Sequence, residues 1–251
     1  MAVLVTRPEQ QGQQLCQQLA GAGIETYHLP LIEFLPGQQL AALPGSISQY
    51  QIIIAVSQHA VDFAQQTLNE AGVPWPSHCV YLAVGQKTAQ ILSKACQHTV
   101  HYPSISDSEH LLAMDVMQTV HNQQILILRG NGGRELIYDT LILRGAKVDY
   151  LEAYQRKNVA FDAHNLVPAW QAQGIDSLII TSSGQLTHFV SQIDVQDLPW
   201  LLTLRLYVPS ERIASDARQL GFCDVINTGS AANADIAAAL QPSTRTLSND
   251  K

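Results

Sequence analysis

The sequence predicts an α/β protein built on parallel β-sheets. Six short, continuous apolar runs are each followed by a polar turn and then by a helix-like segment; the runs span residues 3–5, 52–56, 81–84, 125–128, 178–180 and 206–208. Continuous apolar runs are typical of strands that are buried on both faces, and strands that alternate with helices form parallel sheets. The six turns are therefore expected at the carboxyl edges of the sheets, where α/β proteins bind ligands.

These turns are suited to anions. Each one opens a helix, and a helix start favours negative charge because its unpaired N–H groups and the positive end of its dipole point outward. Four of the nine arginines fall in the turns: Arg7, Arg129, Arg134 and Arg212. Guanidinium groups suit carboxylates and phosphates, so we expect at least two of them to bind an anion. The alternative is that they are exposed loop residues paired with neighbouring glutamates.

Two of the helix starts carry a capping-box pattern, Thr6-x-x-Glu9 and Ser182-x-x-Gln185. We expect the Thr6 hydroxyl to cap the first helix. Ser182 and Ser183 are adjacent hydroxyls, and a helix cap uses one of them. The other is expected to face a ligand.

Composition excludes several classes of protein. The chain has 251 residues, is 46% apolar and carries a formal net charge of −7. No apolar stretch approaches the ~20 residues of a membrane span, and the sequence enters its first strand without a basic or cleavable leader, so we expect a cytoplasmic protein with no membrane partner. The acidic balance and the absence of basic runs argue against nucleic acid as a partner.

Metal and nucleotide signatures are missing. The four cysteines are scattered, which favours buried free thiols over disulfides or a zinc site. His98 and His101 form the one close histidine pair, but they have no accompanying ligand set. Residues 130–135 have a glutamate where a dinucleotide loop needs its third glycine, and residues 85–88 lack the glycines of a P-loop. NAD, FAD, ATP and metal ions are therefore not expected as cofactors.

Two further segments, residues 29–34 and 150–156, interleave charged and apolar side chains as half-exposed strands do. They bracket a block that contains three of the six turns. We interpret this block as a domain inserted into another domain, with the two segments running side by side as the connection. The residues alone leave open a tandem arrangement split near residues 121–124.

Segments 4–8, 29–34, 57–61, 126–135, 154–156 and 208–212, taken in this order and spacing, resemble the uroporphyrinogen-III synthase family of tetrapyrrole (heme) biosynthesis. The resemblance implies two flavodoxin-like parallel-sheet domains, one inserted into the other and joined by a two-stranded ribbon, with the active site in the cleft between them. We accordingly place the first domain at residues 1–34 and 157–251 and the inserted domain at residues 35–156.

The resemblance also implies an activity. Members of the family are lyases that cyclise hydroxymethylbilane, a linear tetrapyrrole with eight carboxylates. Loss of its terminal hydroxyl gives an azafulvene; attack by the substituted α-carbon of the last pyrrole ring then forms a spirocyclic intermediate, and fragmentation and reclosure invert that ring to give uroporphyrinogen III. A monomer without cofactors is expected. The alternatives are a two-domain clamp that senses an anionic metabolite, and a nucleotide-sugar transferase, which the missing nucleotide loops disfavour.

The resemblance assigns the catalytic role to Tyr154, which matches the family's ribbon tyrosine and would serve as general acid for the departing hydroxyl. Without the resemblance, Tyr154 is interpreted as a packing aromatic on a half-buried strand. The predicted substrate-binding residues combine helix starts, turn arginines and hydroxyls that match the family: Arg7, Ser57, Thr88, Arg129, Gly130, Ser182, Ser183, Ser210 and Arg212. Their hydroxyls either bind carboxylates or start helices.

Overall fold

The computed structural model describes residues 1–241 and contains two α/β units, each with its own sheet. The strands are β1 (Ala2–Val5), β2 (Glu25–His28), β3 (Ile32–Pro36), β4 (Ile52–Ala55), β5 (Val80–Ala83), β6 (Val100–His101), β7 (Gln124–Gly130), β8 (Lys147–Asn158), β9 (Ile175–Ile179), β10 (Arg205–Val208) and β11 (Val225–Asn227). The helices are α1 (Glu9–Gly21), α2 (Leu43–Ser46), α3 (Gln58–Ala71), α4 (Gln86–Cys96), α5 (Ser108–Ala113), α6 (Asp115–Gln118), α7 (Leu136–Leu143), α8 (Ala163–Ala172), α9 (Ser183–Gln192), α10 (Leu198–Leu201), α11 (Glu211–Gln219) and α12 (Asn233–Leu240).

The six predicted strands are present as β1, β4, β5, β7, β9 and β10, and each is followed by a helix. Their side chains alternate between two cores. Leu4 packs on one face of its sheet while Val3 and Val5 pack on the other, and Ile53 and Ile54 are divided in the same way. Burial on both faces explains why these strands are continuous apolar runs. The predicted parallel α/β class is therefore confirmed.

The first unit comprises Met1–Glu33 and the described residues from Lys157 onward. Its sheet has the strand order β2-β1-β9-β10-β11, with every neighbouring pair parallel. This is the flavodoxin-like order, in which the strand order reverses between β1 and β9. The turns that contain Arg7 and Ser182 follow these two strands, so they lie at the switch point where such sheets bind ligands.

The second unit comprises Phe34–Arg156. Its six-stranded sheet has the order β3-β8-β7-β4-β5-β6, and the five strands from β8 to β6 are parallel. Those five strands follow the order of the dinucleotide-binding (Rossmann) fold, with the switch point between β4 and β7. Ser57 follows β4, and Gly130 ends β7. Both residues therefore lie at the switch point of this unit.

The connection between the units is the predicted two-stranded ribbon. β3 and β8 are neighbours at one edge of the second sheet. The backbone N–H of Gly37 donates to the carbonyl of Ala153, and that of Val159 donates to the carbonyl of Leu31, so the two strands run antiparallel. The alternative tandem boundary near residues 121–124 falls inside the second unit, at the start of β7.

Thr6 does not cap the first helix, and that prediction is wrong. α1 begins at Glu9 after Pro8, and among the described residues no side chain caps it. The fully buried Thr6 hydroxyl instead donates a 2.6 Å hydrogen bond to the carbonyl of Ile179. Because Thr6 directly follows β1, it joins the ends of β1 and β9 at the switch point.

The four cysteines are free. Cys96 is buried, whereas Cys223 is exposed in the turn before β11, so the prediction of buried thiols is wrong for Cys223. Within residues 1–241, no helix is long and apolar enough to cross a membrane.

Candidate active site

A β-bulge in β8 sets the direction of Tyr154. β8 pairs with β7 in regular register up to Arg129 opposite Glu152, and the next pair is Gly130 opposite Tyr154, which leaves Ala153 as the extra residue. Ala153 and Tyr154 consequently pack in the same core, whereas side chains of successive strand residues normally alternate. The bulge thus turns Tyr154 onto the face opposite Tyr150, which packs in the other core.

The hydroxyl of Tyr154 accepts two hydrogen bonds. Ser57 Oγ donates to it at 3.2 Å, and Arg156 Nη2 donates at 2.9 Å. The Ser57 oxygen also caps α3 by accepting from the backbone N–H of Ala60 at 3.3 Å. Arg156 can only donate, so with Ser57 also donating, the phenolic proton is left for an acceptor outside the described part of the chain. Tyr154 is 1% exposed, and the exposed Arg156 side chain covers its hydroxyl.

Three ring side chains surround Tyr154. Phe34 stacks on His59 with ring centroids 4.0 Å apart, and Tyr154 meets both rings edge-on at 5.5 and 5.7 Å. Phe63 lies nearly parallel to Tyr154 at 6.1 Å. Burial lowers the pKa of His59; the Asp62 carboxylate opposes this shift and the Arg156 guanidinium adds to it. His59 is therefore neutral at pH 7, and the cluster is an aromatic wall without net charge.

Gly130 makes room for the Tyr154 ring. A Cβ atom at this position would lie 2.5 Å from Tyr154 Cζ and 2.9 Å from its hydroxyl oxygen. Contacts this short do not occur between unbonded carbons, so a side chain here would displace the ring. The predicted substrate-binding Gly130 is accordingly a packing partner of the predicted acid.

Arg129 lies on the other face of the same sheet. It is 6% exposed, its guanidinium carbon lies 4.3 Å from the centre of the Tyr150 ring, and Nη1 donates to Glu135 at 3.0 Å. The Tyr150 hydroxyl is buried and has no partner in hydrogen-bonding geometry within the described residues. Burial, and then the neighbouring Glu135 carboxylate, raise the pKa of Tyr150. These groups lie beside a cavity at the carboxyl ends of β4, β5 and β7.

In the first unit, Arg7 is occupied by internal partners. Its Nη1 donates to the carbonyl of Ala231 and, at 2.8 Å, to Asn233, while Nη2 donates to Gln11 at 2.7 Å. The side chain is 7% exposed, and burial lowers its pKa. These bonds tie the start of α1 to the start of α12. Its predicted contact with substrate stays a prediction.

The serines after β9 form a linked group with α11. Ser182 caps α9 by accepting from the N–H of Gln185 at 3.2 Å, so the predicted cap is confirmed. The Ser183 hydroxyl donates to Asp216 at 2.6 Å and accepts from Arg212 at 2.9 Å. The structure thus brings together three of the predicted binding residues, Ser182, Ser183 and Arg212, at the starts of two neighbouring helices.

The two remaining predicted residues also lie at helix starts. Thr88 is in the first turn of α4 and is 8% exposed. Ser210 occupies the position just before α11, where its side chain makes no capping bond to a described residue. Within residues 1–241, no group of three or more histidine, cysteine, aspartate or glutamate side chains is arranged to hold a metal ion.

Comparison with known proteins gives this geometry a context. The family model for uroporphyrinogen-III synthase HemD matches residues 13–237. The uroporphyrinogen-III synthase of Escherichia coli (strain K12) is 40% identical over 246 residues, which cover 96% of this chain and all of the relative. The chain belongs to the uroporphyrinogen-III synthase family. The enzyme of the same name from Salmonella typhimurium is 37% identical with the same coverage.

Solved structures of this family share the fold. A mutant uroporphyrinogen III synthase from Thermus thermophilus matches with a TM-score of 0.61 at 15% identity, over 95% of this chain and 96% of that one. The Helicobacter pylori protein matches with a TM-score of 0.54 at 16% identity, over 96% and 99%. These likenesses support the architecture of two α/β units.

The sequence does not predict a function for several residues of the candidate site. Arg156 and His59 both lie within the segments that resemble the uroporphyrinogen-III synthase family. Arg156 contacts the buried Tyr154, and His59 contacts Phe34, which is remote in the sequence, so the sequence pattern alone does not assign a role to either residue. Tyr150 shares its segment with Tyr154 and was not distinguished from it. A basic residue two positions after the candidate acid was the one available signal.

Proposed function

We propose that this chain converts hydroxymethylbilane to uroporphyrinogen III and that Tyr154 donates the proton to the departing hydroxyl. The observation that carries the assignment of Tyr154 is its hydroxyl oxygen, which accepts from both Ser57 and Arg156. This arrangement leaves the phenolic proton available for a ligand. A donor of this kind, placed on the leaving group, accelerates bond breaking by about 10²-fold or more.

Arg156 controls access to that proton. Its exposed guanidinium covers a hydroxyl that is otherwise buried, and guanidinium binds carboxylate more strongly than it binds a neutral phenol oxygen. A substrate carboxylate would therefore draw Arg156 away and uncover the phenol. Tyr154 is exposed to the substrate only after a carboxylate has bound, which couples recognition to chemistry.

The chemical step then follows from the substrate. The C–O bond breaks, the hydroxyl leaves as water with the proton of Tyr154, and the pyrrole N–H releases a proton that restores the phenol. The substituted α-carbon of the last ring attacks the azafulvene, and the spirocyclic intermediate fragments and recloses with that ring inverted. The rings of Phe34, His59 and Phe63 supply an apolar wall that excludes water from the cation-like intermediates.

Substrate carboxylates are held by a distributed set of helix starts, arginines and the strand end at Gly130. The set contains Arg7, Ser57, Thr88, Arg129, Gly130, Ser182, Ser183, Ser210 and Arg212. The capping positions of Ser57 and Ser182 support it, since N–H groups at helix starts bind anions without an overall basic surface. Arg7 would contribute mainly by fixing the turn that it braces.

The remaining parts of the proposal concern the working state of the protein. The enzyme acts as a cytoplasmic monomer, needs neither metal nor organic cofactor, and has no nucleic acid or membrane partner. We place its domain boundaries at 1–34 with 157–251, and 35–156, which is within one residue of the division between the two units. Limited proteolysis would test these boundaries, and light scattering would test the monomer.

The deciding experiment is to incubate the dialysed, chelator-treated protein with hydroxymethylbilane and separate the product isomers. The type III isomer is expected, at a rate far above that of spontaneous closure. Formation of the type I isomer alone, at the rate seen without protein, would overturn the proposed function.

A further inference from the structure

The second unit contains a cavity on the face of its sheet opposite Tyr154. The cavity has a volume of about 170 Å³ and lies where β4, β5 and β7 end. This position is the switch-point region of the sheet, the place where doubly wound folds bind ligands. The residues grouped around Tyr154 do not line this cavity; they are Phe34, Ser57, His59, Phe63 and Arg156.

One end of the cavity is polar and built from buried groups. The side chain of Arg129 is 6% exposed, and the buried Tyr150 hydroxyl has no partner in hydrogen-bonding geometry among the described residues. The glycines of the turn, Gly132 and Gly133, line the same end. A buried hydroxyl without a partner costs about 1–3 kcal/mol, so a ligand oxygen placed here would remove that penalty.

The other walls are mostly aliphatic. Val56, Val84, Ile127 and Ile137 line them, together with Ser108 and the exposed Arg134, which is paired with Glu109. A volume of about 170 Å³ is close to that of a dry protein cavity that holds benzene, and it is far too small for four pyrrole rings. The cavity therefore fits a short aliphatic chain that ends in a group suited to arginine and a phenol donor.

Glu135 already presents such a group. Its carboxylate faces Tyr150 and accepts one bond from Arg129, and the proximity of Tyr150, followed by that of Arg129, holds the pKa of Glu135 below its usual value. The Glu135 side chain is nevertheless 54% exposed, and it leaves the Tyr150 hydroxyl without a hydrogen bond in good geometry. A carboxylate entering from the cavity side could replace it while Glu135 turns to solvent.

We propose that this cavity is a binding site for a short aliphatic carboxylate, held by Arg129 and Tyr150 in exchange for Glu135. The same chemistry has two sources. One is a carboxymethyl or carboxyethyl arm of the tetrapyrrole, and this assignment rests on the proposed function. The other is a free short-chain acid, and that assignment is independent of the proposed function.

Methyl groups report on the site directly. In the full chain labelled with ¹³C at isoleucine and valine methyls, propionate should shift the signals of Ile127, Ile137, Val56 and Val84 in a saturable manner. A dissociation constant on the order of 10 mM is expected for a ligand of this size. Propionamide has the same shape without the charge and should cause no saturable shift. Absence of saturable shifts with propionate would overturn the proposal.

Three variants test the mode of binding. Tyr150→Phe should weaken propionate binding roughly five-fold, the usual net effect of losing one hydrogen bond. Glu135→Gln should strengthen it by a similar factor, because the competing carboxylate is gone. Glu211→Gln is the matched control, since Glu211 pairs with Arg218 in the first unit, and it should change nothing. Weaker binding in Glu135→Gln would contradict the exchange.

A final experiment distinguishes the two sources of the carboxylate and separates this proposal from the proposed function. Uroporphyrin III, the oxidised product, should compete with propionate for the same methyl signals if a substrate arm enters the cavity. Propionate binding without competition would assign the cavity to a free acid. Because propionate binding requires no turnover, failure of the isomer assay would leave this result unaffected, and absence of propionate shifts in an active enzyme would reject the cavity alone.

Discussion

Arg156 Nη2 donates a 2.9 Å hydrogen bond to the hydroxyl oxygen of Tyr154, two residues earlier on the same strand. The contact is possible because residues two positions apart on a strand share a face, and both residues follow the bulge at Ala153. An exposed cation thus covers the proposed proton donor.

Tyr154→Phe removes the proton and keeps the ring. Turnover to the type III isomer should fall by about 10²-fold, the usual effect of losing a general acid. The melting temperature should change little, because Ser57 and Arg156 can both turn to solvent. The isomer assay and thermal unfolding check these outcomes, and unchanged turnover would make Tyr154 a packing residue.

Arg156→Gln tests whether Arg156 acts through Tyr154. In the wild type the substitution should lower turnover several-fold, because the substrate carboxylate that Arg156 binds is no longer held beside the phenol. In the Tyr154→Phe background the effect should be much smaller, because residues that act as one unit are not additive. The neighbouring Lys157→Gln makes the same change in charge and should affect both backgrounds equally. An equal loss from Arg156→Gln in both backgrounds would assign Arg156 to substrate binding alone.

Gly130→Ala should destabilise the protein by about 1–3 kcal/mol, the usual range for overpacking a core. The new methyl group would lie 2.5 Å from Tyr154 Cζ, so the ring must shift. Gly45→Ala is the control, because a Cβ atom at this position of the same unit would have no other atom within 4 Å. Urea unfolding measures both variants, and equal stability would show that the ring moves at no cost.

Acidification should destabilise the protein through His59. Below pH 6.5, the ordinary pKa, the unfolded chain binds a proton that the folded chain does not, since burial lowers the folded pKa. Stability is therefore lost as the pH falls from 6.5 to the lowered folded value. In His59→Phe, which keeps the stacking on Phe34, the melting temperature should fall less over this window. The exposed His164→Phe is the control and should follow the wild type.

Ser182→Asp separates the two roles of the Ser182 hydroxyl. Aspartate caps helices as well as serine does, so the stability of α9 should be kept. Its negative charge should repel a polycarboxylate and raise KM severalfold, more than Ser182→Ala does. Ser215→Asp, an exposed site within α11, adds the same charge away from any helix start. If KM is unchanged in Ser182→Asp, the serine only starts the helix.

The sequence was sufficient for the architecture because its signals are local and repeated. Each buried strand and each following turn appears as a pattern within a few residues, so β1, β4 and β7 were predicted with the helices after them. Thr6 was misassigned because its partner, Ile179, is remote in the chain.

The site was harder to predict because its contacts are not local. Ser57 reaches Tyr154 across the sheet, and the separation of Tyr154 from the group formed by Arg129, Glu135 and Tyr150 depends on which face of β8 each side chain occupies. A single extra residue decides that, and alternation of polar and apolar residues does not reveal it when both faces are buried.

The bulge at Ala153 gives one strand two unrelated chemistries. In a regular strand, residues four positions apart share a face, so Tyr154 would lie beside Tyr150 and the ion pair of Arg129 and Glu135. A chain that lacked Ala153 would have the two tyrosines three positions apart, and a regular strand would then keep them on opposite faces. The number of positions from Tyr150 to Tyr154 and the presence of the bulge must therefore change together. Relatives in which the two tyrosine positions are an odd number of residues apart need no bulge, and relatives in which they are an even number apart need one.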